Sequence, residues 1–278
     1  MSRRGFLAVA RLDFAEVGRS RWLAFVLGVY FLLALVFITV GLKESTVLGY
    51  TGTSRVLLSF CHTLVLILPL LGLSATGLAI NQARATGALE LVLSQPLTRL
   101  DYFGAVAMVR FGFLTLPLVA VIFVVALVGQ FAFGQAVPWG MLLRSVVISS
   151  ALLAAFVGLG LLITTTVANQ AKAVMVVLLA WLASVALLDF ALVGLMLEWR
   201  LPARLVFALA ALNPVEAARL ALLSNVDREL SVLGPVGFYL ANRLGNSLLF
   251  TLGVLWPLVV GGASWAFAAR WFRRGDVI

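Results

Sequence analysis

Three groups of polar residues stand out in a sequence that is 63% hydrophobic and 11% charged, because they carry side chains that do chemistry. Asp189 lies in the apolar run WLASVALLDFALVGLML, and Cys61 and His62 are adjacent in another apolar run. Glu90 and Arg99 belong to the segment GALELVLSQPLTR, which joins two apolar runs. A carboxylate in an apolar run indicates an ion or proton site, and thiolate with imidazole suits copper. The third segment carries charges of both signs between two apolar runs.

The first two groups do not predict a metal site by themselves. One carboxylate supplies no coordination shell, so we favour a neutral or hydrogen-bonded Asp189 over an ion site, although both interpretations stay open. Neighbouring residues on a helix point about 100° apart, so Cys61 and His62 do not converge on one ion without further ligands. We therefore predict a buried structural pair there and no resident metal.

Six long apolar runs must position these groups. A helix needs about 20 apolar residues to cross a hydrocarbon core of about 30 Å. Such runs occupy residues 22–42, 56–80, 111–133, 145–167, 173–197 and 247–267. In the fourth run, Ser150, Ala154 and Gly158 recur every four residues, which predicts a close contact between helices. The sequence thus predicts an all-α integral membrane protein with one transmembrane domain over residues 1–278.

Basic residues are distributed unevenly between the two sides of these spans. They cluster in the N-terminal segment, the second and fourth loops and the C-terminal segment, whereas the short opposite loops carry only Lys43, Arg55 and Arg144. The positive-inside rule then predicts a multi-pass protein of the cytoplasmic membrane with both termini in the cytoplasm. In that setting the net charge of +9 indicates contact with anionic lipid headgroups rather than with nucleic acid.

An amphipathic stretch precedes the first span. Leu7, Ala10, Phe14 and Val17 recur at helical spacing between charged residues. This pattern is typical of a helix that lies in the headgroup region. We expect a cytoplasmic elbow helix over residues 5–18.

A second stretch outside the spans, residues 203–224, lies between the fifth and sixth spans and contains NPVE. Asn213 is a good N-cap, Pro214 suits the first helical position, and Glu216 can close a capping box. We expect two short helices that meet at Asn213 on the outer side. They would form a lid over the bundle or a docking face for an outer partner.

The segment 84–101, between the second and third spans, contains a predicted short helix. Thr86 can start it, with Ala85, Leu89 and Val92 on one face near the membrane and Glu90 pointing away. We therefore expect a small amphipathic helix in the second loop.

The same segment contains signals that end one helix and start another. Pro96 stops the short helix, because the residue before a proline is driven out of helical geometry. Thr98 and Asp101 are then spaced as the two partners of a capping box, whose helix continues into the third span. The segment is predicted to be a rigid cytoplasmic knob attached at both ends to membrane helices.

Sequence motifs for nucleotide binding and hydrolysis are missing. The chain contains no G-x-x-x-x-G-K-[ST] phosphate-binding loop and no G-x-S-x-G nucleophile elbow. We therefore expect a non-catalytic chain, and any energy from ATP must come from another chain.

The order of these elements resembles the type-2 ABC exporter permeases. Their Gly-Thr-Leu-Glu-x-Leu-Leu-x-x-Pro-[Leu/Val]-[Ser/Thr]-Arg segment is matched at Gly87, Leu89, Glu90, Val92, Leu93, Pro96, Leu97, Thr98 and Arg99. In that family the segment is the coupling helix that docks on the ATPase. The resemblance therefore implies an ATPase-coupling role for Gly87, Leu89, Glu90, Pro96, Thr98 and Arg99. The chain departs from the family at Ala83 and Ala85, where acidic residues are usual, and at Ala88, where threonine is usual.

Three further stretches, at 189–190, 212–220 and 271–276, resemble the permeases that help to mature the copper sites of nitrous oxide reductase. This resemblance implies a homodimer that works with a separate P-loop ATPase, which binds ATP and Mg²⁺, and with a periplasmic accessory protein. The chain itself would hold no cofactor. Two alternatives stay open: an exporter of the same family for a lipid, drug or glycan, and an ATP-independent membrane scaffold or channel.

Overall fold

The computed structural model describes residues 3–48, 52–133, 137, 139–187, 210–226 and 234–274. In this part of the chain the regular elements are helices, which confirms the predicted all-α class. In chain order they are α1 (Arg3–Gly18), α2 (Arg21–Leu48), α3 (Gly52–Thr76), α4 (Ala79–Ala85), α5 (Ala88–Leu93), α6 (Arg99–Phe133), α7 (Trp139–Thr166), α8 (Gln170–Leu182), α9 (Pro214–Val226) and α10 (Gly234–Arg274). A π-helical segment, Ala183–Leu187, continues α8, and Gly245 interrupts α10 with φ 70° and ψ 160°.

Six helical stretches are long and apolar enough to cross a membrane, as predicted. They are Arg21–Thr39, Thr63–Ala85, Arg99–Phe131, Trp139–Thr166, Gln170–Leu187 and Gly245–Arg274. The third stretch begins at Arg99 rather than at residue 111. Arg110 does not end the apolar helix, because its guanidinium is largely buried and forms an ion pair with Asp13.

The fourth span, α7, lies at the centre of the bundle and packs extensively against α3 and α10. Small residues allow this approach: a Cβ at Gly158 would overlap the carbonyl oxygen of Gly261, and one at Gly160 would overlap the hydroxyl of Thr76. In return, a Cβ at Gly261 would lie 2.8 Å from the carbonyl oxygen of Ala154. The close contact predicted from the small-residue spacing is confirmed, and α10 is the partner.

The N-terminal helix α1 packs on α6, which supports the predicted elbow helix. Val9 and Val17 are buried, whereas Leu7 and Phe14 on another face are exposed. Phe14 also contacts the ring of Phe113, with 4.7 Å between ring centroids. One face of α1 thus packs on protein, and the exposed apolar face is suited to lipid.

Candidate functional site

The segment 84–101 follows a break between α3 and α4, and contacts from α7 hold this break in place. The first N–H groups of a helix need acceptors, and Leu78 at the N-cap of α4 provides no side-chain bond. The hydroxyl oxygen of Thr164 in α7 accepts instead from the N–H of Ile80 at 3.2 Å and of Asn81 at 3.3 Å. The Asn81 amide donates to the carbonyl oxygen of Val167 at 2.7 Å. The Thr164 hydroxyl of α7 therefore caps α4, and these hydrogen bonds link the two helices.

A tight turn at Gly87 separates α4 from α5. Thr86 follows the last residue of α4, and its hydroxyl and N–H both donate to the carbonyl oxygen of Gln82 at 3.0 Å. Gly87 then adopts φ 71°, a left-handed conformation that residues with a Cβ rarely accept. The expectation that Thr86 starts the short helix was wrong, because this left-handed residue ends α4 before α5 begins.

The short helix α5 has a buried face and an exposed face. Leu89 is buried and Val92 packs against the core, whereas Glu90 is exposed, as its spacing predicted. Leu91 is also exposed, at 73% of its surface. Ala85, expected on the same face as Leu89, is exposed because the turn at Gly87 separates it from α5. The helix therefore exposes a carboxylate and a large apolar side chain at adjacent positions.

The far end of the segment is fixed by the predicted capping box. The Thr98 hydroxyl donates to Asp101 Oδ2 at 2.7 Å, and the N–H of Asp101 donates back to the Thr98 hydroxyl at 3.1 Å. Pro96 lies in the turn between α5 and α6. The box starts α6 at Arg99, so the turn leads directly into the third span.

Arg99 joins this segment to the end of the sixth span. Its Nη1 donates to the carbonyl oxygens of Phe272 at 3.4 Å and Arg273 at 3.3 Å, in the last turn of α10. Carbonyl groups there lack partners within the helix, and a cation is favourable at that end of the helix dipole. The Phe272 ring also packs on Phe103, with centroids 5.7 Å apart. A direct contact of Arg99 with an ATPase stays a prediction.

Beside the segment lies a cavity of about 260 Å³ between α1, α4, α5 and α6. Asp13 and Glu16 of α1 line it, and Ala83 of α4 lies in the facing wall. Arg110 of α6 approaches Asp13 Oδ1 to 3.4 Å and donates to the carbonyl oxygen of Ala75 at the end of α3. Burial raises the pKa of Asp13 above its ordinary value of 3.8, with the charge of Arg110 acting in the opposite direction.

In the predicted outer helices between the fifth and sixth spans, Asn213 starts α9 as the expected N-cap. Its side-chain oxygen accepts from the N–H of Val215 at 3.0 Å, and Pro214 is the first helical residue. Its amide donates to the carbonyl oxygen of Ser184 at 2.6 Å, within the π-helical segment. Asn213 is 3% exposed, so its direct contacts are internal, and the exposed residue at this turn is Leu212.

Glu216 takes a different partner from the one its spacing predicted. It pairs with Arg219 at 2.7 Å, while the N–H of Asn213 donates to the carbonyl oxygen of Ala210 at 2.9 Å. That local turn replaces the expected reciprocal bond from Glu216. A docking role for Asn213, Pro214 and Glu216 remains a prediction.

Other predicted positions lie outside the described residues. Asp189 is one, together with residues 203–209 at the start of the predicted outer helices. Cys61 and His62 belong to α3, but their side chains are outside the described set. Sequence reasoning missed Thr164, Asn81 and the Asp13–Arg110 pair. Polar residues bordering or interrupting apolar helices were the available signal, because such residues need partners.

Comparison with known proteins gives one full-length relative. No family model matches the chain. The probable ABC transporter permease protein NosY of Stutzerimonas stutzeri is 27% identical over 277 residues, covering 96% of this chain and 97% of the relative. This similarity supports the ABC transporter permease family. Because the match covers nearly all of both chains, the resemblance to a permease includes the six spans and the segments between them.

Proposed function

We propose that the chain is the non-catalytic, membrane-spanning subunit of an ABC transporter and that α5 receives the motion of a separate P-loop ATPase. The observation that carries this proposal is the exposed pair Glu90 and Leu91 on a short helix that is fixed at both ends. An apolar side chain beside a charge suits protein docking, since burial supplies affinity and the charge supplies specificity. The relative named as an ABC permease supports the same conclusion.

The contacts of α5 define how its displacement reaches the spans. On one side, α5 follows α4, which Thr164 of α7 caps. On the other side, the Thr98–Asp101 box starts α6, and Arg99 binds the last turn of α10. A push on α5 therefore acts on the ends of four spans at once. ATP binding in the partner would move the segment and tilt the bundle.

The proposed assembly lies in the cytoplasmic membrane and contains two copies of the chain, each with both termini in the cytoplasm. Helix α8 has an exposed apolar surface, at Met175, Leu178 and Leu179, that suits contact with the second copy or with lipid. On the outer side, a periplasmic accessory protein would dock near the turn at Leu212.

The proposed biological role is maturation of the copper sites of nitrous oxide reductase. This role rests on the resemblance to NosY.

A second candidate function is export of a lipid or another apolar solute. An apolar groove of about 540 Å³ runs between α6, α7 and α10, where Ala107, Gly158 and Gly262 line it. An acyl chain or a drug-sized molecule fits a groove of this size.

Purification from the native host in detergent tests the coupling proposal. We expect a P-loop ATPase to copurify with the wild-type chain, and Glu90→Ala to lower ATPase activity in the complex while circular dichroism of the helices is unchanged. A scaffold or channel would bring down no P-loop subunit. Deletion of the gene in that host then distinguishes copper-site maturation from export of an apolar solute. Loss of copper from nitrous oxide reductase in the deletion strain supports maturation, and full copper loading of the enzyme contradicts it.

A further inference from the structure

The cavity beside the coupling segment holds an incompletely satisfied carboxylate. Asp13 is 4% exposed, and its Oδ1 faces Arg110 at 3.4 Å. Its Oδ2 is buried and has no hydrogen-bond partner among the residues that the structure describes. A buried charged oxygen without a partner is costly, so a cationic or hydrogen-bond-donating group in the cavity would stabilise it.

A second carboxylate makes the cavity electronegative. Glu16 lies one helical turn after Asp13, is exposed, and lines the same cavity. Burial is the largest cause of the raised pKa of Asp13, and the charge of Glu16 adds to it, whereas the charge of Arg110 lowers that pKa. By charge count, one guanidinium faces two carboxylates. Charge complementarity therefore calls for a positive group from outside the chain.

The shape of the cavity favours a side chain over a bare metal ion. Among the described residues, His, Cys, Asp and Glu form no cluster of three or more that could hold a metal. The walls combine the two carboxylates with Val9, Leu12 and Val92, which suit the aliphatic stem of an arginine or lysine. A volume of about 260 Å³ also exceeds what a single ion needs.

We propose that this cavity is a socket for an arginine or lysine side chain of the ATPase subunit, which inserts between α1 and α5 and pairs with Asp13 and Glu16. The inference rests on the proposed function, because it names a contact of the same docking surface. Two walls of the cavity, at Ala88 and Val92, belong to α5, so the socket is continuous with the exposed face of that helix. The elbow helix α1 thereby becomes part of the docking surface.

Binding of the purified ATPase subunit to the detergent-solubilised chain tests the socket. Glu16→Gln removes one charge without removing the Asp13–Arg110 pair, and we expect binding to weaken about tenfold, with a smaller dependence on salt. Asp13→Asn is the second variant and should weaken binding at least as much. Glu44→Gln, near the far end of α2, removes the same charge elsewhere and should leave affinity unchanged.

A labelling experiment locates the contact. In a Cys61→Ala background, Ala83→Cys places a thiol in the cavity wall, and its reaction with a cationic methanethiosulfonate reagent reports access. We expect the ATPase subunit to slow this reaction about tenfold or more, and Glu16→Gln to reduce that protection at a fixed ATPase concentration.

The outcomes separate this inference from the proposed function. If the ATPase subunit does not bind the wild-type chain, both fail. If it binds the wild type and Glu16→Gln equally well, the socket is wrong and the coupling proposal stands. If Mg²⁺ alone protects the thiol as well as the ATPase subunit does, the cavity is a cation site, and the inference is overturned.

Discussion

The cap that α7 provides to α4 can be tested at Thr164. The hydroxyl is buried and accepts from two N–H groups, at 3.2 Å and 3.3 Å, which open a helix with no side-chain cap of its own. Thr164→Val keeps the shape and removes the acceptor. An orphaned buried donor costs about 1 to 3 kcal/mol, and because both bonds are long we expect a total near 2 to 3 kcal/mol.

Amide hydrogen exchange measured by mass spectrometry is the direct assay. If the local stability of α4 falls by about 2 to 3 kcal/mol, the equilibrium constant for local opening of that helix rises roughly 30- to 150-fold. Peptides covering Ala79–Ala85 should therefore exchange faster by that factor in Thr164→Val. Thr164→Ser is the matched control, since it loses a methyl group but keeps the acceptor. It should be destabilised by about 1 kcal/mol with little change in the exchange of α4. Equal exchange in the two variants would refute the inter-helix cap.

Three further predictions address the other contacts. Asn213→Leu removes the cap of α9 and its bond to the π-helical segment, so the unfolding free energy in detergent should fall by about 2 to 4 kcal/mol. An unchanged melting curve would show that α9 is held by packing alone. Gly158→Ala should lower the unfolding free energy in detergent by about 1 to 3 kcal/mol, because the new Cβ would overlap α10. Gly262→Ala is the control, since its Cβ meets open space and should not lower that free energy. Burial raises the pKa of Asp13, so the folded chain binds that proton more tightly than the unfolded chain. The resulting stabilisation relative to Asp13→Asn is fully present below about pH 3.8 and is lost as the pH rises through the raised pKa. Denaturant titration at several pH values checks this sign, and the opposite trend would contradict it.

The spans and the local helix signals could be predicted from sequence because they depend on neighbouring residues. Apolar length alone indicates a membrane helix, and the Thr98–Asp101 and Asn213–Pro214 signals act over three residues or fewer. The close contact at Gly158 was also predictable from spacing, although its partner α10 was not. In each case the physical cause lies within one helix or one turn.

The contacts between distant segments could not be predicted. The predicted third span begins only after Arg110, because a charge normally ends a membrane span, whereas the partner that buries this charge, Asp13, lies 97 positions earlier in the chain. The bond from Arg99 to the end of α10 spans 173 positions. Thr86 was misassigned for a local reason, since its spacing fits a helix start and only the left-handed conformation of Gly87 shows that α4 ends there.

Site-specific crosslinking tests most directly whether α5 is the surface that an ATPase contacts. In a Cys61→Ala background, Leu91→Cys carries a photoactivatable crosslinker on α5, and Leu116→Cys carries it within the third span, where exposure is nearly the same at 72% against 73%. The coupling account predicts that, in native membranes, position 91 crosslinks to a P-loop ATPase and position 116 does not. If position 91 forms no crosslink to a P-loop subunit, and its crosslinked products are the same as those from position 116, the coupling account is contradicted.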